Sequence, residues 1–344
     1  MMNTKKTVMI TGGLGYIGSH IVLELLENNY CAVIVDNLSN SSEDVLNKIE
    51  KLSPGNDLIR NSMYFYNVDV SEESSLLESI FMTHDITYVI HMAAHKSVSE
   101  SIENPVLYYK NNIDGLLCLL KYMNNYKIKN LIFSSSATVY GNSEPPFDEN
   151  SITGVDLTNP YGKSKYMCEE ILKDIKNMNI YLLRYFNPIG CHKSGLIGDN
   201  PNGIPNNIMP YLLRVANHEY DELSVFGDDY DTTDGTAERD YIHVVDLAKA
   251  HVVALSNIDT KEGVNIYNVG TGKATSVLKL INTFNSVNNI KLNYKIIGRR
   301  EGDVAVSYCI SDKIYEEFGW KATHTLEDMC KDSWNFINKI KKNK

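Results

Sequence analysis

The chain has 344 residues, of which 43% are hydrophobic, and this is enough to bury the core of one large domain or of two closely joined ones. Its formal net charge of −10 argues against a broad surface for nucleic acid or an anionic membrane, although a local basic pocket for a phosphorylated small molecule stays compatible with it. The six cysteines are scattered without CxxC or cysteine–histidine spacing, so we expect reduced thiols, no metal site and a cytoplasmic protein.

Through the first half of the chain the predicted elements alternate between strand and helix. Short apolar runs predict strands at residues 7–11, 31–36, 63–69, 88–92, 130–135 and 180–185. Longer amphipathic runs predict helices at residues 16–29, 42–52, 73–83, 105–126 and 160–178. The first apolar run is broken by glycines and is too short for a signal peptide or a membrane span. This alternation is typical of a doubly wound parallel sheet, so the predicted fold class is α/β.

The composition changes after residue 186. Residues 187–207, NPIGCHKSGLIGDNPNGIPNN, are dense in Gly, Pro and Asn and predict irregular loops, which a compact chain seldom keeps without using them. Residues 238–256, ERDYIHVVDLAKAHVVALS, return to a strand and helix pattern. We therefore predict a first domain of residues 1–186, to which residues 240–270 return, and a smaller mixed α/β lobe of residues 187–239 and 271–344.

A glycine-rich turn follows the first predicted strand. In TGGLGYIGSH, Gly12, Gly15 and Gly18 stand three residues apart as a helix begins, and such a turn lets a pyrophosphate approach the helix N-terminus. The next strand ends in Asp36, about 20 residues on, where a carboxylate can accept hydrogen bonds from a ribose. An acid there repels the 2′-phosphate of NADP, so we predict a Rossmann-like domain that binds NAD.

Tyr161 and Lys165, in NPYGKSK, share one face of a predicted helix. A nearby ammonium stabilises a phenolate and lowers the phenol's pKa, and the hydroxyl of Ser136, which closes the preceding strand, can hold or relay a substrate proton. Alone, a tyrosine–lysine pair is more often a solvated helix face. Behind a dinucleotide-binding turn we interpret it as a catalytic pair.

Seven motifs in order, TGGLGYIGS, SSSATVYG, NPYGKSK, RYFNPIG, GIPNNIMPY, RDYIHV and RREGD, carry a resemblance over nearly the whole chain. The chain resembles the UDP-glucose 4-epimerase family of extended short-chain dehydrogenases/reductases. The resemblance implies a UDP-sugar substrate and a reversible hydride relay. In this relay Tyr161 takes the proton of the sugar 4-hydroxyl, tightly bound NAD takes the hydride, and the 4-keto sugar rotates and receives both back on its other face.

Position by position, the resemblance implies three sets of site residues. The catalytic residues are Tyr161, Lys165 and Ser136. The cofactor-binding residues are Gly12, Gly15, Tyr16, Ile17, Asp36, Asn37, Asp69, Val70, Met92, Ala93, Ala94, Lys96, Asn111, Ser134, Tyr161, Lys165, Tyr185 and Phe186. The substrate-binding residues are Lys96, Ser136, Ala137, Thr138, Tyr161, Tyr185, Asn187, Asn206, Asn207, Ile208, Ser224, Val225, Phe226, Arg239, Tyr241, Arg300, Asp303 and Ser307. Arg239 and Arg300 are expected to clamp the diphosphate, since guanidinium is a natural bidentate partner of phosphate.

The size of the sugar pocket is the subject of a further hypothesis. Some epimerases have a bulky tyrosine four residues after the position of Asp303, and this chain has Ser307 there. A smaller residue leaves room for an N-acetyl group, so we predict activity on UDP-GlcNAc/UDP-GalNAc in addition to UDP-glucose/UDP-galactose. Tyr308 could instead fill the space.

Two alternatives stay open. One is another NAD-dependent nucleotide-sugar enzyme, a 4,6-dehydratase or a UDP-glucuronate decarboxylase, although dehydration needs an extra acid and base and the stretch Ser136 to Tyr140 offers no carboxylate. The other is a non-catalytic NAD-sensing module, which would be expected to lose the tyrosine–lysine pair or the arginines. The resemblance also implies a homodimer formed through the helices predicted at 105–126 and 160–178.

Overall fold

The computed structural model describes residues 5–53, 61–300 and 302–342, and its strands and helices are numbered here along the chain. Seven parallel strands form the main sheet: β1 (Thr7–Thr11), β2 (Cys31–Asp36), β3 (Met63–Asn67), β4 (Ile86–His91), β5 (Asn130–Ser136), β6 (Asn179–Tyr185) and β10 (Gly263–Val269). Their spatial order is β10-β6-β5-β4-β1-β2-β3. The order reverses between β1 and β4, which is where ligands bind in open α/β sheets.

Helices cover both faces of this sheet. In chain order they are α1 (Tyr16–Glu27), α2 (Asp44–Leu52), α3 (Ser75–Thr83), α4 (Val98–Glu103), α5 (Pro105–Tyr109), α6 (Gly115–Asn125), α7 (Pro160–Asp174) and α9 (Val244–Asn257). Successive strand residues point to opposite faces, so Val8 and Ile10 of β1 belong to one apolar core and Met9 to the other. The apolar strands are thus buried on both sides, and the predicted α/β class is confirmed.

A smaller lobe follows the main sheet. Its strand β9 (Glu238–His243) pairs in parallel with β7 (Asn187–Ile189) and β13 (Val306–Ser307), and antiparallel with β11 (Ala274–Ser276). A second pair joins β8 (Leu223–Phe226) to β12 (Tyr294–Ile297). The lobe also has the helices α8 (Ile208–Ala216), α10 (Val277–Asn288) and α12 (Leu326–Lys342), whereas α11 (Asp312–Phe318) packs with Ile314 into a core of the main sheet. Leu212, Phe284 and Phe336, from α8, α10 and α12, lie in the core of this lobe.

The largest departure from the predicted elements lies at residues 105–126. One helix was expected there, but a π-helical turn, Lys110–Asp114, separates α5 from α6. The short helix α4 was not predicted, and α7 ends at Asp174 instead of 178, ahead of a left-handed Asn177 with φ 61°. The six predicted strands begin and end within two residues of the observed bounds.

Candidate active site

The glycine-rich turn between β1 and α1 has no room for side chains. Gly12 has φ +67°, and a Cβ there would lie 2.9 Å from the backbone nitrogen of Ala93. A Cβ on Gly18 would lie 2.2 Å from the carbonyl oxygen of Gly12. Gly15 caps α1 without a side-chain hydrogen bond, so the first N–H groups of the helix stay available. The turn can therefore receive an anion at the positive end of the helix dipole.

Asp36, at the end of β2, lies beside this turn. Its Oδ2 accepts a hydrogen bond from the Leu14 nitrogen at 3.0 Å, and its Oδ1 accepts from the Leu38 nitrogen at 2.9 Å and from the Ser41 hydroxyl at 2.7 Å. These bonds fix the carboxylate at the edge of the sheet. Next to it, the Asn37 amide donates to Asp69 at 2.9 Å, so the two predicted adenosine-side positions are joined.

A cleft of about 760 Å³ runs along the carboxyl ends of the strands. The predicted cofactor residues that line it are Gly12, Gly15, Tyr16, Ile17, Asp36, Asn37, Asp69, Val70, Met92, Ala93, Ala94, Lys96 and Asn111. Its opposite wall comes from the loop 196–207, including Asn206 and Asn207 of the predicted substrate set. The other predicted cofactor residues, Ser134, Tyr161, Lys165, Tyr185 and Phe186, belong to β5, α7, β6 and the residue after β6.

Lys165 lies almost completely buried under the end of β5. Asn159 caps α7 by accepting a hydrogen bond from the Gly162 nitrogen at 2.8 Å, and Pro160 opens its first turn, so Tyr161 and Lys165 occupy successive turns. The Lys165 ammonium donates to the Ser134 carbonyl oxygen at 2.6 Å and lies 4.8 Å from the centre of the Phe133 ring. Burial lowers the pKa of Lys165 to about 8.

Ser136 and Tyr161 meet at the end of β5. The Ser136 oxygen accepts hydrogen bonds from the nitrogen and the hydroxyl of Thr138, at 3.2 and 3.0 Å, so its own proton is free for Tyr161 or a substrate oxygen. Burial raises the pKa of Tyr161, and the hydrogen bond with Ser136 opposes that shift. The sequence predicts a pKa lowered by Lys165, whereas in the structure desolvation raises the pKa of Tyr161 and Ser136 is the group that opposes this shift.

Both predicted arginines converge on Asp303. Arg300 donates to its two carboxylate oxygens at 2.8 and 3.2 Å, and an Arg239 nitrogen lies 3.8 Å from one of them. The Arg300 guanidinium also lies 5.4 Å from the centre of the Phe226 ring. β13 pairs with β9 so that Ser307 lies opposite Arg239. The structure thus brings together the predicted diphosphate, uridine and pocket-size positions.

The other predicted substrate residues come from several separate elements. Ala137 and Thr138 form a 3₁₀ turn after Ser136, and Asn187 pairs with Tyr241 between β7 and β9. Ser224 is half-buried, and Ile208 begins α8. The side chains of Val225 and Tyr241 pack into the core of the small lobe, so a substrate contact from either would have to come from its backbone.

Residues 8–270 match the NAD dependent epimerase/dehydratase family. The chain belongs to this family. Among its relatives, the human UDP-glucose 4-epimerase is 47% identical, covering 96% of this chain and 95% of the relative, and that of Bacillus subtilis (strain 168) is 46% identical, covering 96% of each.

Two solved structures extend the comparison. The UDP-glucose 4-epimerase from Bifidobacterium longum, in complex with NAD⁺ and UDP, superposes with a TM-score of 0.92 at 46% identity, covering 97% of this chain and 98% of that one. The UDP-Glc/GlcNAc 4-epimerase from Campylobacter jejuni superposes with a TM-score of 0.81 at 31% identity, covering 97% and 99%.

The cleft of this family member fits the cofactor that the family name specifies. The turn at Gly12 and Gly18 is too close to neighbouring backbone for any Cβ, α1 presents uncapped N–H groups, and Asp36 is fixed where a ribose would lie. The glycine turn, the helix N-terminus and the diol acceptor therefore follow one another in the order that the pyrophosphate and ribose of a dinucleotide require. In the described ranges, His, Cys, Asp and Glu form no group that could hold a metal ion.

Sequence reasoning missed Asn112, beside the predicted Asn111. The two residues lie in the π-helical turn, and Asn112 is 2% exposed. Its amide donates to the Ser164 hydroxyl at 2.9 Å and to the His95 carbonyl oxygen at 3.2 Å, while its oxygen accepts from the His95 nitrogen at 2.9 Å. Ser164 in turn donates to the Tyr161 carbonyl oxygen at 2.8 Å. This chain of bonds ties the loop of Lys96 to the first turn of α7, and the paired asparagines in a helical pattern were its only sequence signal.

His251 was missed as well. Its Nδ1 donates to the Leu247 carbonyl oxygen at 2.8 Å, so its Nε2 is the acceptor for a short hydrogen bond from the Tyr185 hydroxyl. Burial lowers the pKa of His251 to about 4, which keeps the ring neutral. The same hydroxyl lies 3.5 Å from the Met92 sulfur, in the wall of the cleft. Tyr185, at the end of β6 and beside Ser136 of β5, therefore links His251 to the wall of the cleft.

The loop 196–207, which we call the strap, is fastened at two points. The Asn202 nitrogen donates to the Asn40 side chain at 3.0 Å, beyond the end of β2. The Asn206 amide donates to the Ser97 hydroxyl at 2.8 Å, beyond the end of β4. These bonds hold the strap across the cleft from one side to the other.

Proposed function

We propose that this enzyme epimerises UDP-sugars reversibly at C4, interconverting UDP-glucose and UDP-galactose with tightly bound NAD. The observation that carries the proposal is the cluster of Ser136, Tyr161 and Lys165 at the carboxyl ends of the strands that form the dinucleotide cleft. The similarity to UDP-glucose 4-epimerases over nearly the whole chain supports it.

In the proposed reaction the protein's residues move a proton, and NAD held in the cleft would supply the hydride chemistry. Tyr161, as phenolate, takes the proton of the sugar 4-hydroxyl while Ser136 donates a hydrogen bond to the same oxygen. The charged Lys165 and an oxidised nicotinamide both favour the phenolate that burial disfavours. After the 4-keto sugar has rotated in the site, Tyr161 returns the proton to the sugar oxygen, and bound NAD would give the hydride back at the opposite face of C4. Atoms and electrons balance without net oxidation.

The arginine and carboxylate group on the small lobe is proposed to hold the UDP moiety. Arg239 and Arg300 would contact the diphosphate, since both guanidinium groups already converge on one carboxylate. Asp303 would accept from the uridine ribose, and the exposed Phe226 ring would lie against uracil. Lys96, which lies 5.7 Å from the Tyr16 ring in the wall of the cleft, would face the phosphates of the cofactor.

Ser307 supports activity on the N-acetylated pair. Tyr308 directly follows β13, and successive residues of extended backbone point to opposite faces, so we expect its ring to point away from the face of Ser307. We propose that the space is open and that the enzyme also interconverts UDP-GlcNAc and UDP-GalNAc. Assays with UDP-GalNAc test this point, and no formation of UDP-GlcNAc by an enzyme active on UDP-galactose would contradict it. Ser307→Tyr should lower activity on UDP-GalNAc by at least about 10-fold and spare UDP-galactose.

A homodimer and a cytoplasmic location belong to the same proposal. Exposed apolar residues Val106, Leu117 and Met167, on α5, α6 and α7, support a partner on the two helical segments for which a dimer was predicted. Analytical ultracentrifugation tests the dimer. All six cysteines are free, in keeping with a reducing compartment. None of the helices in the described ranges has the length and apolar character needed to cross a membrane.

The deciding experiment is the addition of UDP-galactose to purified protein. We expect an absorbance signal of bound NADH together with formation of UDP-glucose. A dehydratase or decarboxylase would release a different product, and an NAD-sensing module would release none. Tyr161→Phe separates an epimerase from an NAD-sensing module, which has no turnover to lose. An epimerase should lose at least about 100-fold in turnover while it keeps its bound NAD.

A further inference from the structure

One helical turn beyond Lys165, α7 buries a carboxylate. Glu169 and Arg184 of β6 are 0% and 1% exposed and form an ion pair, with Arg184 nitrogens 2.7 and 3.0 Å from the two Glu169 oxygens. Desolvation makes a buried ion pair a poor source of stability compared with an apolar pair of the same volume. Its place beside the catalytic cluster therefore points to a further role.

Glu169 also contacts the strand that ends in Ser136. The Ser135 hydroxyl donates a short hydrogen bond to the same Glu169 oxygen that accepts from the Arg184 Nε. Ser135 and Ser136 are the last two residues of β5. One carboxylate thus joins the ends of β5 and β6 to the helix that carries Tyr161 and Lys165.

The carboxylate also acts on the charge of Lys165. The two residues are four apart on α7 and share its buried face. Burial lowers the pKa of Lys165, and Cys168 and the negative charge of Glu169 oppose that shift. A Lys165 that lost its proton could no longer stabilise the Tyr161 phenolate.

Several other polar groups surround Lys165. They are Cys168 of α7, His91 of β4 and the Ser134 carbonyl oxygen of β5, with Tyr161 one helical turn before Lys165 and Arg184 paired to Glu169 one turn after it. Burial lowers the pKa of His91 to about 3 and raises the pKa of Cys168 to about 11, so both are uncharged near neutral pH. Among the groups named here, Glu169 is the carboxylate, and it is paired with Arg184.

We propose that Glu169 is a positioning residue of the epimerase reaction: it keeps Lys165 charged and holds the Ser136 end of β5 against the first turns of α7. This role rests on the proposed function, since it acts through Lys165 and Tyr161.

The first test is Glu169→Gln in the NAD-loaded enzyme. Gln keeps the length and an oxygen for Ser135 but removes the charge. We expect the alkaline limb of the kcat/KM profile to move to lower pH by about one unit, the lower end of the range for a nearby opposite charge. The matched control is Glu170→Gln, one residue on, where the carboxylate is exposed and pairs with Lys173. The alkaline limb of the kcat/KM profile of this control should lie at the same pH as in the wild type.

The second variant guards against a folding defect, because Glu169→Gln leaves Arg184 buried without its counter-ion. Glu169→Gln/Arg184→Gln removes both charges and should recover thermal stability while the limb stays at lower pH. A recovery of both stability and the wild-type profile would show that Glu169 is merely structural and overturn the proposal. Ser135→Ala keeps the charge and should lower kcat without moving the limb; an unchanged kcat would overturn the positioning of β5.

A titration that needs no turnover separates this proposal from the proposed function. The absorbance of the Tyr161 phenolate can be followed against pH in NAD-loaded enzyme, with Tyr161→Phe as the blank. We expect Glu169→Gln to raise the pKa of Tyr161 once Lys165 loses charge. If Glu169→Gln shifts the Tyr161 titration but the wild-type enzyme has no epimerase activity, the proposed function alone is overturned. If the wild-type enzyme is an active epimerase but Glu169→Gln changes neither the alkaline limb of the kcat/KM profile nor the Tyr161 titration, the role of Glu169 alone is overturned.

Discussion

The Lys165 ammonium donates a 2.6 Å hydrogen bond to the carbonyl oxygen of Ser134, two residues before Ser136 in β5. This bond fixes the cation between the strand and the helix while leaving it 4% exposed. The position explains why the charge of Lys165 is sensitive to pH: its pKa is lowered to about 8 by burial, and the charged form is lost as pH rises through that value.

The first prediction concerns this titration. Activity should fall as pH rises above about 8, because neutral Lys165 no longer favours the Tyr161 phenolate. Lys165→Met should lower kcat by at least about 100-fold and abolish the limb, with bound NAD retained. The measurement is kcat against pH together with the cofactor absorbance of each purified protein. A limb near pH 8 in Lys165→Met would assign that titration to another group.

The second prediction concerns the choice of cofactor. Asp36→Asn keeps one oxygen, which can accept from the Leu38 nitrogen and the Ser41 hydroxyl while the bond from the Leu14 nitrogen is lost, and it removes the charge that repels a 2′-phosphate. We expect the preference for NAD over NADP to narrow by about 10-fold, which is about 1.4 kcal/mol of binding free energy. Affinities for both cofactors, measured after removal of the bound one, check it. Asp85→Asn, at an exposed position directly before β4 and so at the opposite end of the sheet from the cleft, serves as the control.

The third prediction concerns the strap. Asn40→Ala removes the acceptor of the Asn202 nitrogen, and Asn206→Ala removes the bond to Ser97. Each change should speed the release of NAD by about 5-fold, since one such hydrogen bond contributes about 1 kcal/mol. Stopped-flow exchange against a fluorescent cofactor analogue measures the rate. Asn217→Ala, which removes a comparable surface bond to Glu219, should leave it unchanged. Equal rates in all four proteins would mean that the strap does not retain the cofactor.

The fourth prediction concerns the glycine turn. Gly18→Ala would place its Cβ 2.2 Å from the Gly12 oxygen, so either the turn or the start of α1 has to move. We expect loss of bound NAD and a cost of about 3 kcal/mol in the free energy of unfolding. Gly298→Ala, with no atom within 4 Å of its Cβ, is the matched control. The measurements are thermal unfolding and the content of bound NAD in the two variants, and a Gly18→Ala protein that equals Gly298→Ala in both would contradict the prediction.

The parts of the fold that follow from local pattern were predictable. The parallel strands are continuous apolar runs, and the turn at Gly12 needs glycine for reasons that its own neighbours impose. The break in the helix at residues 105–126 was not predictable, because Asn112 gains its partners from His95 and Ser164, far apart in the chain. Local propensity does not contain such contacts.

The same distinction holds at the site. Tyr161 and Lys165 were found because four residues separate them on one helix. His251 was not, because only the pairing of β6 with its neighbours and the packing of α9 bring it to Tyr185. The direction of the Tyr161 pKa shift was also out of reach, since it depends on burial by residues from several elements.

The strap lines the cleft and is proposed to contact two ligands. It closes the cofactor cleft and carries Asn206 and Asn207, which are proposed to contact the sugar nucleotide. A wall shared in this way couples the two binding equilibria, and such coupling is reciprocal. Whatever factor a bound UDP-sugar contributes to the affinity for NAD, bound NAD contributes to the affinity for the UDP-sugar, so substrate binding and cofactor retention would change by the same factor.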